Sequence, residues 1–159
     1  MNFRIGFGYD VHRLLEDKPF FLGGVKISHY KGAVGHSDAD VLIHAICDAI
    51  LGALSLGDIG QHFPDKDKKY AGIESSLLLK EVINLAKKEG YRIGNIDSTV
   101  ALQEPKISAY IPQIRSTLAG ILNTEAGNIS VKATTEERLG FTGREEGVAA
   151  YAVALLVTG

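Results

Sequence analysis

At 159 residues, 45% apolar and 23% charged, the chain is long enough to bury a core without a disulfide or a structural metal. A formal charge of −2 with no long basic run excludes a partner held through the nucleic-acid backbone, and no stretch is apolar and long enough to span a bilayer. Cys47 is the sole cysteine, and strand-like sequence follows directly on the N-terminus with no signal segment, so a cytoplasmic protein is expected, with a processed plastid form as the alternative.

In chain order, residues 3–13 read as a strand and PFFLGGVKI (19–27) as a short hairpin turned at Gly23-Gly24. The period then changes. Val41, Leu42, Ala45, Ile46, Ala49, Ile50, Ala53 and Leu54 recur at helical spacing, with Ser37 as N-cap. Residues 57–72, rich in Gly, charge and Pro, read as a mobile loop, and a second helix covers about 74–89, ending at Gly90. A strand at 95–103, a helix at 107–123 and a strand at 128–135 follow, and 147–158, helix or strand by composition, reads as a final strand because Gly147 opens it and both faces are small or apolar. This order predicts one α+β domain over 1–159, a two-layer α/β sandwich with a mixed sheet and helices on one face. The last strand is apolar on both sides: Ala149, Tyr151, Val153 and Leu155 on one, Val148, Ala150, Ala152, Ala154 and Leu156 on the other. Helices cover only one side of such a sheet, so a second subunit is expected over the other.

Three polar constellations carry candidate chemistry. In GYDVHRL (8–14), Asp10 and His12 share one strand face, and His44 sits in the first helix among apolar neighbours, an expensive place for an imidazole. Three N/O ligands with a fourth position open suit catalytic zinc, and Asp48, one helical turn on, is expected to orient His44. Taken alone, the same residues also suit a core histidine and a surface ion pair. GHSDAD (35–40) leads into a helix N-terminus, where His36 and Ser37 would aim donors at an anion; a plain helix cap reads equally well. In KATTEERLGFTGR (132–144), Thr134 and Thr135 are donors, Glu137 a hard-metal ligand and Arg144 a phosphate partner, or the segment is a hydrated turn.

GYDVHRL, GHSDADVLIHAICDAILGALSLGDIGQHFPD and VKATTEERLGFTGREEG, in this order and spacing, resemble the 2-C-methyl-D-erythritol 2,4-cyclodiphosphate synthase family along essentially the whole chain. The resemblance implies a lyase of the non-mevalonate isoprenoid pathway, a homotrimer with sites between adjacent subunits. It would bind a cytidine diphosphate-linked substrate, without nucleic acid or membrane. It also implies that Asp10, His12 and His44 hold Zn2+, and that Glu137 holds a second divalent cation, Mg2+ or Mn2+. His36 and Thr135 match positions that stabilise the transition state, with Ser37, Thr134, Glu136, Phe141 and Arg144 beside the substrate. Asp58, Ile59 and Gly60 match the substrate-holding segment, and Phe63, Pro64, Asp65, Lys66 and Asp67 the loop over the erythritol. Leu102, Gln103, Glu104, Pro105, Lys106, Ile107 and Ser108 match the cytidine pocket. The chain departs from the commoner pattern in ALQEPK, where Ala-Gln usually precedes Pro-Lys, and at Glu136, where a third threonine is frequent. The competing expectations are a zinc-dependent phosphohydrolase and a non-catalytic trimeric binding module.

Overall fold

A computed structural model describes residues 2–64 and 66–159. Five strands form one mixed sheet in the order β4-β1-β7-β5-β6. Strand β1 (Phe3–Glu16) lies antiparallel to both β4 (Lys31–Val34) and β7 (Gly147–Thr158), and β5 (Tyr91–Ala101) is antiparallel to β7 and parallel to β6 (Ile129–Thr134). The predicted hairpin forms a separate ribbon, β2 (Phe20–Leu22) with β3 (Val25–Ile27). Helices α1 (Val41–Ala53), α3 (Ser75–Lys88) and α4 (Ile111–Leu122) bury the side of the sheet that carries Val148, Ala150, Ala152, Ala154 and Leu156. The opposite side is bare: Phe3, Ile5, Phe7, Tyr9 and Val11 of β1 stand exposed beside Tyr151 and Val153 of β7. The mixed sheet with helices over one face therefore matches the expected α+β architecture.

Several boundaries differ from the sequence expectation, each for a local reason. Strand β1 runs on to Glu16 because β4, a four-residue strand with no alternation to betray it, pairs with Arg13 to Glu16. Strand β5 begins at Tyr91, and a register shift between Ile93 and Asn95 breaks its alternation, which hides its first residues in the sequence. Residues 57–72 are not plain loop: they contain a short helix α2 (Ile59–His62), capped by Asp58, and a 3-10 turn at Lys68–Tyr70, capped by Asp67. The segment 107–123 divides into a 3-10 turn (Ser108–Tyr110) and α4. A last short helix, α5 (Gly140–Gly143), precedes β7.

Ser37 does not cap α1; Asp40 does. Its carboxylate is fully buried and accepts three backbone N–H groups, from Gly23 (2.9 Å) and Ile43 (3.0 Å) on Oδ1 and from Gly24 (2.7 Å) on Oδ2. One side chain thus ends the helix and pins the β2–β3 turn, where both glycines hold positive φ. Asp40→Ala leaves two buried donors, the Gly23 and Ile43 N–H groups, unpaired, together with the more exposed Gly24 N–H, and is expected to cost about 3 kcal/mol, read as a lower urea midpoint.

Candidate metal centre and adjoining cavities

Alternation along β1 places Gly6, Gly8, Asp10 and His12 on the side facing the helices. The two glycines let α1 lie directly on the strand. A Cβ at Gly8 would sit 1.9 Å from the Ala45 carbonyl oxygen, and one at Gly6 1.8 Å from that of Ala49. This close approach delivers His44, one residue before Ala45, to the two β1 side chains. The ligand atoms form a compact triangle. His12 Nε2 lies 2.8 Å from Asp10 Oδ2, His44 Nδ1 lies 3.1 Å from the same oxygen, and the two ring nitrogens are 3.1 Å apart. Ligand atoms of a tetrahedral zinc, 2.0–2.2 Å from the ion, sit about 3.3–3.6 Å from one another. A small expansion of the triangle would therefore admit one. His12 Nδ1 faces the Val34 carbonyl at 3.2 Å. A carbonyl can only accept, so in the neutral ring Nδ1 carries the proton and Nε2 is the lone pair a cation would take, while in the protonated ring Nε2 donates to Asp10. Among the described residues, Asp10, His12 and His44 form the group that can share a cation, and the donor set fits a divalent ion.

The electrostatics agree with a site built to hold positive charge. Burial raises the Asp10 carboxyl, but hydrogen bonds and charge from His12 and His44 outweigh it and hold the group down at about 2. Burial lowers His44, and its hydrogen bond and charge interaction with Asp10 carry it above the ordinary imidazole value. Asp48 does not orient this ring. Helical side chains lean toward the N-terminus, so His44 points away from the residue one turn ahead, and Asp48 Oδ1 instead accepts the Ile59 N–H at 2.7 Å. His44 Nε2 meets Ser75 Oγ (2.9 Å) and Ser37 Oγ (3.1 Å).

The triad opens into a cavity of about 370 Å³, walled by Gly35, His36 and Ser37 on one side and by Ile59, Gly60, Phe63, Tyr70, Ile73 and Leu78 on the other. Gly35 is needed there, since a Cβ would come within 2.9 Å of the His12 ring. A second cavity, about 210 Å³, is lined by Leu102, Gln103, Pro105, Lys106, Ile107, Ser108, Ala133, Thr134 and Thr135. Sheet register relates the two: Asp10 pairs with Ala150, Ala150 with Val100, and Val100 with Ala133. Three strand spacings, about 14 Å, thus separate the cavities at one end of the sheet.

A family model, described as the YgbB family, matches residues 3–157. The chain belongs to the YgbB family. A relative from Porphyromonas gingivalis, named 2-C-methyl-D-erythritol 2,4-cyclodiphosphate synthase, is 59% identical over 98% of this chain and 96% of its own. One from Clostridioides difficile bearing the same name is 58% identical over 97% of this chain and 96% of its own. Among solved structures, the bifunctional IspDF from Campylobacter jejuni superposes with a TM-score of 0.96 at 41% identity, covering 99% of this chain, which spans 43% of that longer one. The Plasmodium falciparum IspF–CDP complex gives 0.87 at 39% identity, covering 99% and 97%.

Within this YgbB chain the other expected site residues are distributed unevenly. The Asp58 carboxylate is turned onto Gln61, and Asp67 onto the Lys69 N–H. Pro64, Lys66 and Glu104 line neither cavity. Glu136 accepts the Thr142 hydroxyl at 3.0 Å, and the Arg144 guanidinium is paired with Glu146 at 3.1 Å. Glu137, at positive φ, exchanges only long contacts with Thr135 (3.4 Å) and lies outside the triad. Phe141 packs beside Gly147. Asp65 lies outside the described residues. Sequence reasoning missed Tyr70, Ile73 and Leu78 as cavity walls, and Ser75 and Asp38 behind His44. Helical spacing at 75–83 signals a buried face but not what that face meets.

Proposed function

We propose that the chain is a cyclodiphosphate synthase, converting 4-diphosphocytidyl-2-C-methyl-D-erythritol 2-phosphate to 2-C-methyl-D-erythritol 2,4-cyclodiphosphate and CMP. The observation that carries this reading is the open-sided Asp10–His12–His44 triangle in a cavity large enough for a phosphorylated polyol, with a second cavity about 14 Å away at the same end of the sheet. The substrate's own 2-phosphate forms a bond to the β-phosphorus, and the bond to the CMP oxygen breaks. Asp10, His12 and His44 would hold Zn2+, and Glu137 a second divalent cation, Mg2+ or Mn2+; such ions supply Lewis-acid charge neutralisation on the diphosphate when bound. His36, Ser37, Thr134 and Thr135 orient phosphate oxygens by hydrogen bonding, His36 and Thr135 where charge develops. The 102–108 cavity takes the cytidine, and residues 58–67 hold the erythritol. No general base is required, because a phosphate monoester with its second pKa near about 6 is mostly dianionic at neutral pH. The enzyme acts in the cytoplasm as one domain spanning 1–159; no helix among the described residues is long and apolar enough to cross a membrane.

Phosphorus NMR of the wild-type reaction is expected to show the cyclic diphosphate and CMP, with turnover lost on chelation and regained with added zinc. A linear bisphosphate product would make the protein a phosphohydrolase, and metal-replete protein without turnover would make it a binding module.

The same reading includes a cyclic homotrimer with the bare sheet faces turned to the axis and each site completed by an adjacent subunit. Its support is the apolar face on β1 and β7, where Phe3, Ile5 and Phe7 are each more than 60% exposed, an area that an isolated chain would leave in water. Sedimentation at micromolar concentration is expected to give three times the 17.1 kDa chain mass. Monomer mass would contradict it.

A further inference from the structure

Behind the triad lies a set of polar groups for which the reaction has no use. Ser75 opens α3 and is fully buried. Its Oγ lies 2.9 Å from His44 Nε2 and in a short hydrogen bond to Asp38 Oδ1. The Asp38 carboxylate also accepts the Ser75 N–H (3.0 Å) and the Asp40 N–H (3.1 Å), so three donors converge on it. A serine hydroxyl has one proton to give. A carboxylate is a stronger acceptor than a neutral ring nitrogen, so that proton goes to Asp38. Ser75 Oγ then turns only lone pairs toward His44, and Nε2 must be the donor. Ser37 Oγ stands farther from the ring, at 3.1 Å; it accepts the Ala39 N–H, and its own proton goes to the second lone pair of Ser75 Oγ, 3.3 Å away. With Nε2 occupied in this way, the nitrogen presented to Asp10 and His12 is Nδ1.

We propose that Ser75, backed by Asp38, is the positioning residue of the metal centre: it accepts the His44 Nε2 proton and so holds the ring with Nδ1 directed at the cation. The inference rests on the metal reading above. It assigns to a serine and an aspartate from two other segments the task that sequence spacing would give to Asp48, and it ties the start of α3 to a ligand on α1. An outer partner of this kind typically governs metal affinity by 10–100-fold.

The test compares zinc affinity, by competition with a chromophoric chelator, in wild type, Ser75→Ala and Ser75→Thr. Ser75→Ala is expected to weaken zinc binding by about 10–100-fold, and Ser75→Thr, which keeps the hydroxyl, to regain most of the loss. The visible spectrum of the cobalt-substituted protein should shift in the alanine variant and return in the threonine variant, which a purely structural serine would not produce. Equal affinity in Ser75→Ala and wild type, or equal loss in both variants, overturns the assignment. Should the variants not fold, nitrogen-15 NMR of the zinc-loaded wild type decides. A protonated, exchange-protected His44 Nε2 supports the assignment, and metal bound through Nε2 overturns it. Wild-type protein that takes up no divalent cation overturns the metal reading itself, and is told apart by that measurement alone.

Discussion

His12→Ala should lose its zinc and at least about a thousandfold in turnover while keeping its fold. The triangle depends on all three corners: without the imidazole, Asp10 and His44 offer two ligands 3.1 Å apart, too few to define an open-sided tetrahedral site. Charge neutralisation by a bound cation contributes several kcal/mol to phosphoryl transfer, and each 1.36 kcal/mol is tenfold in rate. The fold loses little, because His12 is a half-buried side chain whose other nitrogen makes one hydrogen bond, to Val34, worth about 1 kcal/mol. The core of α1 and the sheet is untouched. Metal content by mass spectrometry, circular dichroism and CMP release check the three parts separately. His29→Ala, at a position lining neither cavity, should behave as wild type. A His12→Ala protein that unfolds would make the site structural, and one that keeps its zinc would remove His12 from the ligand set.

Gly8→Ala is expected to be among the most disruptive single-methyl changes in the chain. The new Cβ would lie 1.9 Å from the Ala45 carbonyl oxygen and 2.7 Å from the Ala49 amide nitrogen, both helix backbone. No side chain can rotate aside, so α1 must lift off β1 by an ångström or more. Overpacking of this kind costs typically 1–3 kcal/mol, and contact with rigid backbone puts this site at the upper end, about 3 kcal/mol. The lifted helix carries His44 with it, so zinc affinity should fall along with the urea midpoint. Gly52→Ala is the matched control. It lies on the same helix with no atom nearer than 3.8 Å, and it should be neutral or stabilising by up to about 1 kcal/mol. Wild-type stability and zinc affinity in Gly8→Ala would contradict the packing account.

The pattern of what was legible in the sequence follows from this geometry. Asp10 and His12 could be paired because strand period is local, and His44 stood out because a polar residue in an all-apolar helix carries a visible cost. That 12 and 44 meet was not legible from spacing, since the meeting depends on Gly6 and Gly8, which in a sequence read as breakers. The bare face was foreshadowed by the odd residues of β7, whose apolar character no helix accounts for. Partner choice was the weakest point. Asp48 sits at a spacing that suggests His44, yet the lean of helical side chains turns the ring toward Ser37 and Ser75, and the carboxylate finds a backbone N–H across the chain. Ser37 likewise had the right chemistry for a cap, but the turn carries the chain three residues further before α1 begins, and Asp40 takes the position. The resemblance of the three motifs reached the family that residue spacing alone could not.

Helix α1 also carries Cys47, fully buried, its thiol pushed well up by desolvation. In the closed molecule it is a poor nucleophile that a reagent cannot reach. It therefore serves as a built-in clock. Because no other thiol contributes, the rate at which a thiol-reactive dye labels the native protein reports how often the helix bearing His44 opens, in a single colour change and without engineering. Comparing that rate with and without zinc separates an ion that merely occupies the triangle from one that clamps the helix to the strand.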